Sequence, residues 1–228
     1  MPTSFFPSSL PINIIETFTH LYIFSFFYYT AQLNVYSAHP LTSMTTNPHP
    51  RKSAMQLGEV YFWTSTIHQW KPLLRSDKYK QIVMESLSTL CQRAKIKVYG
   101  FVIMPNHVHL LWEMLEPNGR EMPYASFQKY TAHAWQADLR RHYAPVLASF
   151  FVGEKERAYR FWQRDALAIK ISSRWVAEQK LRYIHDNPLQ AHWNLAQAPE
   201  DYLYSSAAYY EKDTLTPPFL THYSERFG

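Results

Sequence analysis

Two histidines separated by one residue, His107 and His109, lie in the otherwise apolar run NHVHLLWEM (106–114). Side chains alternate between the two faces of a β-strand, so both imidazoles are expected on one face with Leu111 and Glu113. Two neutral imidazoles on one face can bind the same divalent cation. The opposite, core-facing side is then filled by Val108, Leu110, Trp112 and Met114.

A third ligand is available in the segment KLRYIHDNP (180–188), which has helical spacing. Tyr183 and Asn187 are four residues apart and therefore share one side of a helix. An asparagine carbonyl is a hard ligand that suits Mg²⁺ or Mn²⁺. A phenol one turn before it could attack a phosphodiester polarised by the cation. Each feature alone has a simpler explanation, as a surface histidine pair, a half-buried tyrosine or a helix-terminal asparagine.

The elements that must position these residues follow from periodicity and from turn residues. Their order predicts an α+β fold, a ferredoxin-like sandwich in which helices cover an antiparallel sheet. A cap at Ser172 or Ser173 is expected to begin the last helix, and Pro188 to end it. The predicted strands are 59–67, 96–104, 107–114 and 161–171, and the predicted helices are 77–94, 123–143 and a last one running to Asn187.

Composition restricts the setting and the partner. A single cysteine, Cys91, excludes an internal disulfide and a cysteine-based zinc site, which favours a reduced, cytoplasmic location. The net charge is +5, and all 23 basic residues lie after residue 50, together with all but one of the 18 acidic residues. A basic body of this kind suits a polyanionic partner.

The N-terminal region differs in composition from the rest of the chain. Residues 1–54 contain the apolar stretch FTHLYIFSFFYYTAQL and then a Pro/Ser/Thr-rich segment, and no Lys or Arg flanks the apolar stretch. We expect an atypical extension, disordered or preceding a true start at Met44 or Met55, rather than a membrane anchor. A catalytic domain is expected over 55–211, followed by a C-terminal tail over 212–228.

Three separated motifs resemble those of a known family. GFVIMPNHVHLLWEM, FWQRDALAIKI and KLRYIHDNPLQAHWNLAQAPEDYLYSSAAYY occur in the order found in single-tyrosine, HUH-type transposases, particularly the REP-associated branch. The resemblance spans residues 56 to 211. One departure is the segment QAHWN (190–194), where the family has a small, apolar turn.

The resemblance implies a role for each matching residue. His107 and His109 match the metal-binding histidines, Asn187 matches the third ligand, and Tyr183 matches the nucleophile. The implied activity is cleavage and rejoining of single-stranded DNA, often hairpin-containing, through a 5′-phosphotyrosine link that leaves a free 3′-OH. The implied cofactor is Mg²⁺ or Mn²⁺, the assembly a homodimer or a monomer, and the location nucleoid-associated.

Basic and aromatic residues elsewhere are candidate DNA contacts. The helix 123–143 carries a polar stripe, and the segment around residue 160 mixes aromatic with basic side chains, which could stack on bases and neutralise phosphates. A solvated helix face and edge packing explain the same patterns. The candidates are Lys129, Arg140, Tyr159, Arg160, Trp162, Arg164, Lys180 and Arg182.

Three other functions share part of this pattern. A replication-initiation or relaxase-type nuclease has the same chemistry, but the sequence shows one candidate tyrosine and no fused helicase or primase segment. A non-catalytic, ferredoxin-like nucleic-acid binder would explain the basic and aromatic residues and leave the His/Tyr/Asn set unrelated. A two-histidine phosphoesterase needs two His-x-Ser/Thr motifs, which the sequence does not contain.

Overall fold

The computed structural model describes residues 55–212 and 217–228. The predicted extension over 1–54 therefore lies outside the described residues. The strands are β1 Val60–Thr66, β2 Ile96–Met104, β3 His107–Met114, β4 Phe151–Glu154, β5 Arg157–Tyr159 and β6 Leu167–Lys170. The α-helices are α1 Asp77–Gln92, α2 Pro123–His142, α3 Ala144–Ala148, α4 Arg174–Asp186, α5 Ala207–Glu211 and α6 Ser224–Phe227.

Four strands form one antiparallel sheet in the order β2-β3-β1-β6. With α1 between β1 and β2, and α2 between β3 and β6, this is the predicted ferredoxin-like arrangement. The order places β3 and β1 in the middle of the sheet. Cross-strand pairing sets Thr66 opposite His107 and Thr64 opposite His109, so the histidine strand is held on both edges.

The predicted strand over 161–171 is too long. Only Leu167–Lys170 pairs as a strand, with β1. Phe161 and Trp162 are buried, and Trp162 makes only an isolated bridge to Ile67. The hairpin of β4 and β5 and the short α3 were not predicted, because their residues are largely exposed and lack an apolar period.

One face of the sheet packs against α1 and α2. Its core contains the large rings of Trp63, Trp112, Phe127 and Trp135, each no more than 1% exposed. The indole nitrogen of Trp135 donates to the Tyr79 carbonyl at 3.3 Å, which satisfies a polar atom inside the core. The apolar side of β3 therefore faces this core.

The opposite face packs against α4. Leu181 and Ile184 on α4 are buried against Phe62, Val102 and Leu111 of the sheet. The Ser173 hydroxyl accepts from the amide of Val176 and so caps the helix, as predicted. The helix ends at Asp186, and a 3-10 turn over Asn187–Leu189 containing Pro188 follows it. The histidine side of β3 faces this layer.

The outer edge of β2 is covered by the C-terminal part of the chain. The amide of Ile103 donates to the Tyr204 carbonyl at 2.9 Å, and the amide of Thr221 donates to the Val98 carbonyl at 2.9 Å. Covering an edge in this way removes a surface to which another strand could pair. Residues 217–228 of the predicted tail therefore pack against the domain. Among the described residues, no helix combines the length and apolarity needed to span a bilayer.

Gly100 sets how closely α4 approaches β2. A Cβ atom at this position would overlap Cδ2 of Leu181 and would lie 3.4 Å from Oγ of Ser206. We expect Gly100→Val to lower the free energy of unfolding by about 1–3 kcal/mol through overpacking, as measured by urea denaturation. Leu181→Ala should cost less stability in the Gly100→Val background than in the wild type. Wild-type stability of Gly100→Val would contradict this packing.

Candidate active site

The two histidine rings lie side by side on β3, with their centroids 4.6 Å apart. His107 is 8% exposed and His109 is 5% exposed. Nδ1 of His109 lies 2.7 Å from Oγ1 of Thr64, the residue paired with it on β1. Nδ1 of His107 lies 2.7 Å from Oδ1 of Asn106. Both Nδ1 atoms are thus engaged, which leaves each Nε2 atom as the available ligand atom.

Asn106 fixes the protonation pattern of His107. Its Nδ2 donates to the main-chain carbonyl of Trp70 at 3.3 Å, and this orients the amide with Oδ1 toward the imidazole. An amide oxygen only accepts, so Nδ1 of His107 must be the donor. Nε2 of His107 then carries the lone pair that a metal ligand needs.

Tyr183, on the sheet side of α4, and Asn187, the first residue after α4, reach the same place. The Tyr183 ring centroid is 5.2 Å from that of His109 and 5.7 Å from that of Phe62. Asn187 is 2% exposed, and its side chain interacts with both His107 and Tyr183. The sequence-predicted set of His107, His109, Tyr183 and Asn187 is therefore brought together between the sheet and α4.

Burial controls the ionisation of this cluster. It lowers the pKa of His107 to about 4, against an opposing contribution from the Asn187 side chain. It lowers the pKa of His109 well below its usual value, and nearby His107 contributes. Burial raises the pKa of the Tyr183 phenol, while the hydrogen bond from Asn187 lowers it. Near neutral pH the imidazoles are thus neutral, and the phenol keeps its proton.

Two buried polar atoms of the cluster have no hydrogen-bond partner of good geometry, Nε2 of His109 and Oδ1 of Asn187. Buried polar atoms nearly always have a hydrogen-bond partner. Two such atoms without a partner in one cluster therefore suggest that both bind the same ligand. An imidazole nitrogen and an amide oxygen can each bind a cation through a lone pair. Within residues 55–212 and 217–228, no group of three or more His, Cys, Asp and Glu side chains could hold a metal ion, so a site here needs the amide oxygen. The residues present fit a divalent cation.

Two of the residues predicted to contact DNA are buried. Trp162 is 5% exposed, and its indole nitrogen donates to Oγ1 of Thr131 at 2.9 Å inside the core. The prediction that Trp162 stacks on bases is therefore wrong. Lys180 is also only 5% exposed, with Nζ 5.1 Å from the Phe62 ring centroid. It lies one turn before Tyr183, between the sheet and α4, and not on an exposed surface beside the site.

The other basic candidates lie in three places. Lys129, paired with Glu121 at 2.7 Å, and the exposed Arg140 are on α2. Because α2 covers the opposite face of the sheet, these two do not face the site. Arg182 is exposed on α4. Arg160 and Arg164 share the carboxylate of Glu154, and Tyr159 precedes them at the end of β5.

Two residues beside the site were missed from the sequence. The Trp193 ring centroid is 5.9 Å from that of His107 and 5.1 Å from that of His192. His192 is exposed and contributes to the low pKa of His107. Both belong to the QAHWN segment, whose departure from the family pattern was the signal that could have found them.

No protein-family model matches the chain, and no curated protein matches it. Among solved structures, that of a REP-associated tyrosine transposase bound to a REP hairpin has the same fold. The TM-score is 0.50 at 16% identity, and the alignment covers 78% of this chain and 89% of that one. At this identity the likeness concerns the fold alone, and it agrees with the family that the sequence motifs resemble.

A second solved structure, provisionally described as a transposase from Deinococcus radiodurans R1, is 14% identical. The alignment covers 63% of this chain and 97% of that one, with a TM-score of 0.36. That score is too low to compare the two folds.

Proposed function

We propose that this chain is a metal-dependent transposase or endonuclease that cleaves and rejoins single-stranded DNA through a 5′-phosphotyrosine intermediate. The observation that carries the proposal is the meeting of Tyr183, from the last long helix, with His107 and His109 from the central strand. Asn187 contacts both groups. The shared fold with a REP-associated tyrosine transposase supports it. That protein is described as bound to a REP hairpin, and we propose a hairpin-containing single strand as the DNA substrate here.

Tyr183 is the nucleophile in this proposal. Its phenolic oxygen forms a bond to the backbone phosphorus, the bond from phosphorus to the 3′ oxygen breaks, and that oxygen leaves with a proton as a free 3′-OH. The phenol's own proton is released to solvent. A 3′-OH from the same or another strand reverses the step, so no external energy source is required. The hydrogen bond from Asn187 helps because it stabilises the phenolate form.

His107, His109 and Asn187 would hold the cation, Mg²⁺ or Mn²⁺, through two imidazole nitrogens and an amide oxygen. When bound, such an ion withdraws charge from the phosphate and is worth several kcal/mol to phosphoryl transfer. Thr64 and Asn106 orient the imidazoles through their Nδ1 atoms. Arg160, Arg164 and Arg182 are the exposed or partly exposed cations that we propose for phosphate contacts.

The test uses a hairpin oligonucleotide with unpaired flanks, incubated with the protein and Mg²⁺ or Mn²⁺ and analysed on a denaturing gel. A covalent protein–DNA band should form with the metal and disappear with EDTA. A protein that binds the oligonucleotide but never forms this band would instead be the non-catalytic nucleic-acid binder. In that case the two unsatisfied atoms of His109 and Asn187 would lack an explanation.

Asn106→Ala tests whether the hydrogen bond to Asn106 orients the imidazole of His107 for metal binding. Removing an outer-shell partner of a metal-binding histidine typically lowers metal affinity by about 10- to 100-fold. We expect that loss for Mn²⁺ in isothermal titration calorimetry, with Asn118→Ala as the matched control because only the main chain of Asn118 is hydrogen-bonded. Equal Mn²⁺ affinity in Asn106→Ala and the control would show that Asn106 does not orient the ligand.

A further inference from the structure

The turn after β1 holds a tryptophan in an unfavourable backbone conformation. Gln69 and Trp70 both have φ of 56°, the left-handed region that residues with a Cβ atom avoid. Trp70 is nevertheless 51% exposed, so burial of its indole does not explain the strain. Consecutive strained residues persist where surrounding contacts over-determine them, and such places concentrate at functional sites.

Those contacts connect the turn to the histidine strand. The amide of Ile67 donates to the Asn106 carbonyl at 2.8 Å, and Nδ2 of Asn106 donates to the Trp70 carbonyl at 3.3 Å. Asn106 also bonds His107 through Oδ1. On the other side, the amide of His68 donates to the Phe161 carbonyl at 2.7 Å. The side chain of Asn106 therefore links the main chain at Trp70 to the imidazole of His107.

The surroundings of the turn are basic. Nζ of Lys71 donates to Oε1 of Gln69 at 2.7 Å and also to the Ser149 carbonyl. Lys71 and Arg160 both lie close enough to His68 to lower its pKa, although burial contributes most. Arg160 and Arg164 share one carboxylate, so positive charge is in excess here. An exposed aromatic ring among cations fits a nucleic-acid strand, whose phosphates meet the cations while a base meets the ring.

We propose that Trp70 is a base-stacking residue, whose indole holds an unpaired nucleobase of single-stranded DNA beside the phosphate that Tyr183 attacks. This inference rests on the proposed function for the position of that phosphate. The strained turn fixes the main chain that carries the indole, so the stacking surface needs little reorganisation when DNA binds. Because every base has a flat face, the contact positions the strand without reading its sequence.

Trp175 is the matched control. It is 70% exposed, and it lies in the first turn of α4, eight residues before Tyr183 and thus about 12 Å along the helix axis. An exposed indole with only a general attraction for DNA would behave alike at both positions. A stacking site beside the active site would not.

The experiment measures binding of a fluorescent hairpin oligonucleotide with unpaired thymidine flanks by anisotropy, in the Tyr183→Phe background so that no covalent product forms. Trp70→Ala should bind about 5- to 150-fold more weakly, the range for loss of one stacked base. Trp70→Phe should retain most of the affinity, and Trp175→Ala should bind as the parent does. Circular dichroism and thermal melting check that Trp70→Ala is folded.

Abasic substitutions along the flank then locate the contact. One abasic position should weaken binding to the parent and have no further effect on Trp70→Ala, since the same contact is already lost. Equal binding by Trp70→Ala and Trp175→Ala would overturn the proposal, as would an abasic profile unchanged by Trp70→Ala. These readouts do not depend on covalent chemistry, so a wild-type protein that forms no adduct would refute the proposed function separately.

Discussion

Replacing Tyr183 with phenylalanine should abolish the covalent protein–DNA product while leaving the domain folded. The substitution removes only the oxygen that forms the bond to phosphorus, and the ring keeps its contacts with Phe62 and His109. Removing the nucleophile of a covalent mechanism costs at least about 1,000-fold in rate. The measurement is the yield of covalent band per unit time on a denaturing gel, with hairpin oligonucleotide and Mn²⁺ in excess.

Tyr130→Phe is the control for this substitution, because Tyr130 is a half-exposed tyrosine on α2, on the far side of the sheet from the site. It should give a wild-type yield. The Tyr183→Phe protein should still bind the oligonucleotide, since its basic surface is unchanged. A covalent band that persisted in Tyr183→Phe would assign the nucleophile to another residue.

His109→Ala should remove cation binding and covalent product formation together. His109 contributes a buried Nε2 atom that lacks a protein partner, so its loss deletes a candidate ligand atom together with the hydrogen bond between Nδ1 and Thr64. We expect a loss in Mn²⁺ affinity of more than about 100-fold, beyond the range seen when an outer-shell partner is removed. A ligand that binds only the folded state raises thermal stability, so Mn²⁺ should raise the Tm of the wild type and not that of His109→Ala.

His133→Ala provides the comparison, because His133 is an exposed histidine on α2. Its Tm should respond to Mn²⁺ as the wild type does. Should Mn²⁺ raise the Tm of His109→Ala by as much as that of the wild type, the cation must bind elsewhere on the chain.

Local periodicity predicted the main elements of the fold and the two pairs of site residues that share a face. Alternation along 107–114 placed both histidines on one strand face, and spacing along 180–188 placed Tyr183 and Asn187 on one helix face. The order of elements made a ferredoxin-like arrangement the simplest topology, because few connections are compatible with that order. The roles of the four residues stay predictions until the cation and the DNA product are measured.

Sequence spacing does not predict whether a side chain faces the site, the solvent or the core, because tertiary packing decides this. It showed that Lys129 and Arg140 share a helix face, but not that α2 lies across the sheet from the site. Trp162 looked like a stacking residue because arginines flank it, yet its indole bonds Thr131 in the core. Lys180 was a candidate contact to DNA phosphates, and it is buried beside Phe62. These outcomes depend on contacts far apart in the chain.

The periodicity of the sequence also did not predict which residues orient the histidines. Thr64 acts on His109 because β1 and β3 pair in one particular register. The role of Asn106 emerges only from the carbonyl of Trp70 that accepts a hydrogen bond from its amide. Cross-strand register and side-chain orientation are properties of the assembled sheet, so a single sequence does not reveal them.

The role of Tyr183 as nucleophile is tested most directly by locating the DNA on the protein by mass spectrometry of the covalent product. Trypsin cleaves after Arg182, which makes Tyr183 the first residue of its peptide and separates it in fragment spectra from the tyrosines that follow. We predict a nucleotide attached through phosphate to Tyr183. Attachment to Tyr202, Tyr204 or any other residue would contradict the claim that helix α4 delivers the nucleophile to the two histidines.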